Sequence, residues 1–215
     1  IMEEEIKIIN EKTRNEKIKS FFVENKKKLT FSIIFLVLLT LVFYSYKLYE
    51  DKQRQSISNG YNSAVIEYEN GDKSKIVSKL EEVIKDKDTT YSPLALYYLI
   101  DNNLIENTDQ VNEFFDILID KTNLESEIKN LIIYKKALYN ADFVSESELL
   151  NILNPIINSN SIWKSHALYL IAEYFYSKNE KKKSKEFFSQ ILSIENANRD
   201  IIRDTQKRLN RDLSE

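Results

Sequence analysis

The sequence predicts an all-α chain in which one N-terminal transmembrane helix precedes a solenoid of helical hairpins resembling tetratricopeptide (TPR) repeats. Three observations carry that reading. Glycine and proline number two each in 215 residues, too few for the tight turns of sandwiches and barrels. One uncharged apolar run matches the thickness of a bilayer. Beyond it, helical apolar spacing recurs in pairs of segments at a nearly constant interval.

Composition supports a packed core. Hydrophobic residues make up 42% and charged residues 30% of the chain, a balance unlike that of disordered segments. Lys, Ile, Asn, Tyr and Phe are abundant while Arg, Ala and Gly are scarce. An AT-rich coding bias gives the same pattern, so neither the overall Lys/Arg ratio nor the thirteen tyrosines is by itself a functional signal. Cysteine is absent, which removes disulfides, thiolate metal sites and a cysteine nucleophile. The chain opens Ile1-Met2, which reads as the edge of a gene call or of a fragment.

Residues 1–28 form a short polar segment and residues 29–46 the membrane helix. The run Leu29–Tyr46 carries no charge and is interrupted only by Thr30, Ser32, Thr40 and Ser45. At about 1.5 Å per residue it spans about 27 Å, close to the hydrocarbon thickness. Hydroxyls on a helix bond to the preceding turn and cost little there. Tyr44, Tyr46 and Tyr49 gather at its C-terminal end, as an interfacial aromatic belt does. A buried core helix would show a polar face. A cleaved signal peptide would have a shorter apolar region and small residues at a cleavage site. Here Lys47, Leu48 and Tyr49 follow, so the segment reads as an uncleaved signal anchor.

Orientation follows from the flanking lysines. Lys26, Lys27 and Lys28 abut the span, with Lys12, Arg14, Lys17 and Lys19 upstream; the other flank offers Lys47, Lys52 and Arg54. The positive-inside rule puts the N-terminus in the cytoplasm and the large domain outside it, the periplasm in a bacterium. Residues 1–46 hold 8 basic and 6 acidic side chains and the remainder 23 and 28. An acidic soluble domain gives no electrostatic basis for nucleic-acid binding.

Residues 47–55 read as a short linker and 56–215 as the helical domain. Its pairs are 58–70 with 73–87, 93–105 with 109–122, 126–141 with 146–159, and 162–178 with 181–194. A final polar helix covers 199–213. Local chemistry supports the boundaries. Ser92 before Pro93 reads as a cap followed by a first-turn proline. Ser145 with Glu148 reads as a capping box, and Ser161 as the cap of the helix carrying Trp163. Gly71-Asp72 and Asn179-Glu180 suit left-handed turns inside the first and last pairs. Leu131, Tyr134, Leu138 and Ala141 form a stripe that stacked pairs would bury.

The pairs recur at roughly 34 to 36 residues, the period of TPR repeats. The fourth fits best. Ala172, Phe175, Tyr176 and Phe188 occupy its small and aromatic positions, while Ser184 and Ile191 replace alanines and imply wider packing. In the first, Ala64, Tyr68, Gly71-Asp72, Leu80 and Val83 fall at corresponding offsets. The second and third are degenerate.

Phe21-Phe22-Val23-Glu24-Asn25 before a short anchor is similar to the "FF-x-E-N" start of the YfgM-like single-pass proteins. Pro155 after Leu150–Leu153, then Trp163 and Ala167, resembles the "L-x-P-L … P-W-x-x-x-A" stretch of the same family. The resemblance covers nearly the whole chain. It implies a TPR-like periplasmic domain on the bacterial inner membrane, and an accessory of the Sec translocon that cooperates with periplasmic chaperones. The family carries no catalytic residues.

No constellation for catalysis stands out. Two glycines cannot build a phosphate loop or a dinucleotide fingerprint. The single histidine, His166, lies on the apolar stripe Trp163, His166, Ala167, Leu170, Ile171, Tyr174 and reads as a packed neighbour. One histidine without cysteine builds no usual transition-metal site, and no cofactor is expected. Glu81-Glu82, and Glu146 with Glu148, read as solvated faces. So does the run Lys181-Lys182-Lys183 with Lys185, an acidic partner being the alternative. The aromatics at 97–98, 114–115, 174–176 and 187–188 exceed one stripe; most read as core, with Tyr98, Tyr134 and Tyr174 as candidates for a protein-binding surface. The sequence thus favours a tethered, non-enzymatic scaffold. The alternatives are a self-assembling envelope or cell-division scaffold and a carboxylate-dependent envelope hydrolase. The anchor lacks a small-xxx-small pattern, which weakens self-assembly through the membrane helix.

Overall fold

A computed structural model describes residues 2–69 and 73–213. All regular structure among the described residues is helical. The chain divides into two compact units, residues 1–55 and 56–215.

The first unit contains α1 (Met2–Glu24) and the N-terminal part of α2 (Lys26–Glu69). Asn25 separates the two helices, and its side-chain amide donates to the carbonyl of Phe21 at 3.0 Å. Among the described residues α2 is the one helix long and apolar enough to cross a membrane, and none of its apolar window is buried. Phe31 and Phe43, for example, are 72% and 71% exposed. A core helix of a soluble protein would be covered; a bilayer is the solvent that suits this surface. Thr30 and Thr40 donate their hydroxyls to the carbonyls of Lys26 and Val37, so neither brings an unsatisfied group into the apolar run. Residues 47–55 lie within α2.

The second unit continues from α2 through α3 (Lys73–Lys85), α4 (Tyr91–Asp101), α5 (Thr108–Asp116), α6 (Ser126–Asn140), α7 (Glu146–Ile157), α8 (Lys164–Ser177), α9 (Lys181–Leu192) and α10 (Arg199–Asp212). α3 packs on α4, α6 on α7 and α8 on α9. Three apolar cores follow one another along the chain. The first joins α2 to α5 around Ala64, Leu80, Leu96, Phe114 and Phe115. The second joins α6, α7 and α8 around Ala137, Leu153, Ile171 and Phe175. The third joins α8, α9 and α10 around Leu168, Ala172, Phe188 and Leu213. Helix α8 serves two of them, so it is apolar on opposite faces, as the nearest-neighbour stacking of a TPR-like solenoid requires.

The helix ends show why the chain turns where it does. Asn103 and Asn179 adopt φ of 50° and 62°. At the end of α8 the amide of Glu180 donates to Phe175 O at 2.9 Å and that of Asn179 to Tyr176 O at 3.0 Å, a Schellman closure. The end of α4 repeats it, with Leu104 donating to Leu99 O and Asn103 to Ile100 O. Ser145 and Glu148 form the expected capping box. Gly71-Asp72 lies outside the described residues. The end of α5 widens into a π-helical turn over Ile117–Lys121, closed by the Thr122 hydroxyl donating to Ile117 O at 3.1 Å.

Two expectations are corrected. Ser92 is not a cap: α4 begins at Tyr91, and Asp88 Oδ1 accepts from the amides of Thr90 and Tyr91. Ser92 is instead fully buried and donates to Val83 O at 2.6 Å, tying α4 to α3. The buried stripe of α6 is Ile132, Ile133, Ala137 and Asn140; Leu138, placed in the stripe by sequence spacing, is 48% exposed. α6 carries apolar residues on several faces, and periodicity could not choose among them. In the last hairpin Ser184 and Ile191 are both fully buried.

Candidate functional site

Helices α4, α6 and α8 present the three tyrosines singled out from the sequence, and the fold puts them in three separate settings. Tyr98 is half-buried, edge-on to Tyr61 and Tyr68 at 6.4 and 5.6 Å between ring centres. Tyr134 is half-buried and stacks on Trp163 at 6.0 Å with 20° between the planes. Tyr174 is 9% exposed, and its hydroxyl donates to Val144 O at 3.2 Å. Tyr174 therefore packs the junction of α8 with the α6–α7 connection, where little of it can meet a partner.

An aromatic cluster with adjoining cavities forms at the start of α8. Ser161 organises it: its hydroxyl donates to Glu127 Oε2 at 2.7 Å and accepts from the amide of Trp163 at 3.1 Å. Glu127, in the first turn of α6, also accepts from the amide of Ile162. These contacts hold the turn, so that Trp163 stacks on Tyr134 and His166 sits 5.0 Å from Trp163 and 5.9 Å from Tyr134. Ile162 remains 65% exposed at the rim. A cavity of about 290 Å³ opens there, lined by Ile162, Trp163, His166, Asn196 and Asn198. A second, of about 610 Å³, includes Ile162, Lys164, Leu168, Gln190 and Asn196 in its wall. The pair offers aromatic and apolar surface bordered by amides, hydroxyls and the charged Lys164 and Glu195, a mixture suited to an extended polypeptide. Ile162 and the asparagines carried no periodic signal in the sequence; a surface isoleucine beside a cap looks like any other turn residue.

The surroundings of His166 are aromatic. Burial pushes the His166 imidazole below its ordinary value, and the Trp163 and Tyr134 rings lie against it. Burial likewise raises the Tyr134 phenol. Among the described residues no group of three or more His, Asp or Glu is placed to hold a metal ion.

Elsewhere several of the charged side chains found from the sequence have structural partners. Lys183 bonds Glu146 at 2.9 Å and Glu180 at 2.8 Å and lies 4.8 Å above the Phe175 ring. It pins α9 to α7, and these carboxylates raise its pKa. Lys181 and Lys182 are exposed. Glu148 serves the capping box, which lowers its pKa. Glu81 accepts from the Gln110 amide at 2.8 Å, linking α3 to α5.

The chain is 26% identical over 185 residues to the "Ancillary SecYEG translocon subunit" of Buchnera aphidicola subsp. Acyrthosiphon pisum (strain APS), an alignment spanning 83% of this chain and 92% of that protein. This similarity runs in the same direction as the resemblance to YfgM-like proteins in the Phe21–Asn25 and Pro155–Ala167 stretches. No family model matches the chain, and no solved structure matches it.

Proposed function

We propose that the protein is a non-enzymatic accessory of the Sec translocon, anchored in the bacterial inner membrane by α2 with its helical domain on the periplasmic side. The observation that carries this reading is the near full-length similarity to an ancillary translocon subunit. The exposed apolar window of α2 supports the anchor, and the lysine excess on its N-terminal flank supports the orientation. The stacked hairpins, with an aromatic, cavity-bearing surface around Tyr134, Ile162 and Trp163, support a role in holding protein segments. Anchoring raises the local concentration of membrane neighbours, so weak contacts suffice. Cooperation with periplasmic chaperones rests on the family resemblance.

The test is in-cell photocrosslinking from Tyr98, Tyr134 and Ile162, with Tyr174 as a buried control. Translocon components captured from Tyr134 or Ile162 but not from Tyr174 are the expected outcome, and chaperones among the captured proteins would support the finer reading. Capture of the chain's own copies alone would replace this proposal with a self-assembling scaffold.

A further inference from the structure

Helix α1 reaches the anchor with an apolar stripe left exposed. Ile18, Phe21 and Phe22 are 49%, 55% and 57% exposed, and the two phenyl rings meet edge-to-face at 6.0 Å. At 3.6 residues per turn these three share one face with Asn25, and the same face runs on to Leu29 at the start of the span. Charged side chains are sorted around it. Lys17 and Lys28 lie along one edge of the stripe, Lys19 and Lys26 along the other. Glu16, Glu24 and Lys27 occupy the opposite side of the helix, where Val23 is the one apolar neighbour, and Arg14 closes the N-terminal end of the stripe. All of these lysines are exposed. Among the described residues neither they nor Glu16 and Glu24 enter an ion pair.

We infer that the C-terminal half of α1 is an interfacial helix, with its stripe in the headgroup layer beside the anchor and its edge lysines on anionic lipid headgroups. Cations on both edges of an apolar stripe, with the carboxylates turned away, suit a helix lying in a planar boundary: the lysine stems run along apolar surface and the ammonium groups reach the phosphates. A protein groove would have to supply a carboxylate for each of four lysines. Continuity points the same way, since a single residue, Asn25, separates α1 from the helix that carries the span. Along a straight helix Phe22 lies about 10 Å ahead of Leu29, just beyond a headgroup layer about 5–8 Å deep, so α1 has only to lean. Asn25 provides the place. Its backbone and side-chain amides both donate to Phe21 O, each at 3.0 Å, and a side chain competing with the helical ladder marks where helices bend. The stripe is short, but the anchor holds it at the bilayer, so a weak preference for the interface suffices. The inference rests on the reading of α2 as the anchor and not on the translocon.

The chain has no cysteine, so the full protein can carry a nitroxide on one introduced cysteine at a time: Ile18→Cys on the stripe, Ser20→Cys on the opposite side of α1 and Leu36→Cys in the span. It is reconstituted in vesicles of phosphatidylcholine, alone or with about one-third phosphatidylglycerol. Power-saturation electron paramagnetic resonance then reads access to oxygen and to a water-soluble nickel chelate present on both sides of the membrane. In anionic vesicles the Ile18→Cys label should be shielded from nickel and open to oxygen, and the Ser20→Cys label the reverse. Phe21→Ser with Phe22→Ser should abolish that contrast. Uncharged vesicles, high salt, or Lys17→Gln with Lys19→Gln, Lys26→Gln and Lys28→Gln should each reduce it. The Leu36→Cys label should stay shielded from nickel throughout; nickel access there would overturn the anchor and this inference with it. A shielded Leu36→Cys label with equal nickel access at the two α1 positions would overturn this inference alone. So would a contrast that ignores lipid charge and the lysine variants, or spin–spin broadening of the Ile18→Cys label, which marks a second copy on the stripe.

Discussion

Arg208 on α10 grips Glu173 on α8: its Nε donates to Glu173 Oε1 at 2.6 Å, and its Nη2 donates to the second carboxylate oxygen. The guanidinium also lies 4.2 Å from the Tyr176 ring centre and bonds Asp212 within its own helix. A helix whose outer face is entirely polar is thereby fixed to the last hairpin by a two-pronged, partly desolvated ion pair. Arg208→Ala leaves two carboxylates facing each other and should cost about 2–3 kcal/mol. Arg208→Lys keeps the charge but not the fork, and should recover no more than about half of that loss. Urea unfolding of a fragment beginning at Ser56, followed by its helical circular dichroism, measures both.

The same cluster gives a pH dependence. Hydrogen bonds from Arg211 and then Arg208 hold the Asp212 carboxyl at about 2, against an ordinary value of 3.8. A depressed folded-state pKa contributes stability above the unfolded value, and that contribution is lost as pH falls from about 4 to 2. Asp212→Asn should therefore be less stable than the parent at neutral pH and converge with it at about pH 2. A constant difference across that range would place the effect of Asp212 in packing instead.

Asn140 is 3% exposed and exchanges two amide bonds with Asn112, at 3.0 and 2.8 Å. Each side chain also donates to the backbone of its own helix. The pair fixes the register of α6 against α5, across the boundary between the second and third hairpins. Asn112→Ala should cost about 1–3 kcal/mol by stranding the buried partner amide. The double variant with Asn140→Ala should fall short of the sum of the singles by about 0.5 kcal/mol or more. Strict additivity in a double-mutant cycle would show that the two amides act separately.

Trp163 is half-buried, which sets its energetic weight below that of a core tryptophan. Full burial corresponds to about 3–5 kcal/mol on truncation. Trp163→Ala should cost roughly 2 kcal/mol, part of it the lost stack on Tyr134. Trp163→Phe should retain more than half of the stability, and intrinsic fluorescence of the parent follows unfolding directly, since Trp163 is the only tryptophan.

Membrane orientation is checked by fusions at Glu215. A reporter active only in the cytoplasm should be silent there, and an exported reporter active. The opposite pattern would reverse the assignment made from Lys26, Lys27 and Lys28.

The sequence by itself determined the helical class, the apolar anchor, and the position of nearly every helix in the domain. These are local properties. Two glycines and two prolines exclude turn-rich folds, and a run without charge is legible in one dimension. A capping box at Ser145 and Glu148, or a left-handed Asn179, is written within a few residues. Tertiary structure alone decided which faces are buried and which distant groups meet. On α6 and α8 apolar residues surround the helix, so spacing could not rank Leu138 below Ala137 or show that Tyr174 is covered. Ser92 looked like a cap because Pro93 follows it, yet Asp88 accepts the free amides and Ser92 seals a contact with α3. Arg208 with Glu173, Asn112 with Asn140, and Ser161 with Glu127 lie 28 to 35 residues apart. Such separations approach one hairpin repeat, and only the stacking of successive hairpins brings these side chains within bonding distance.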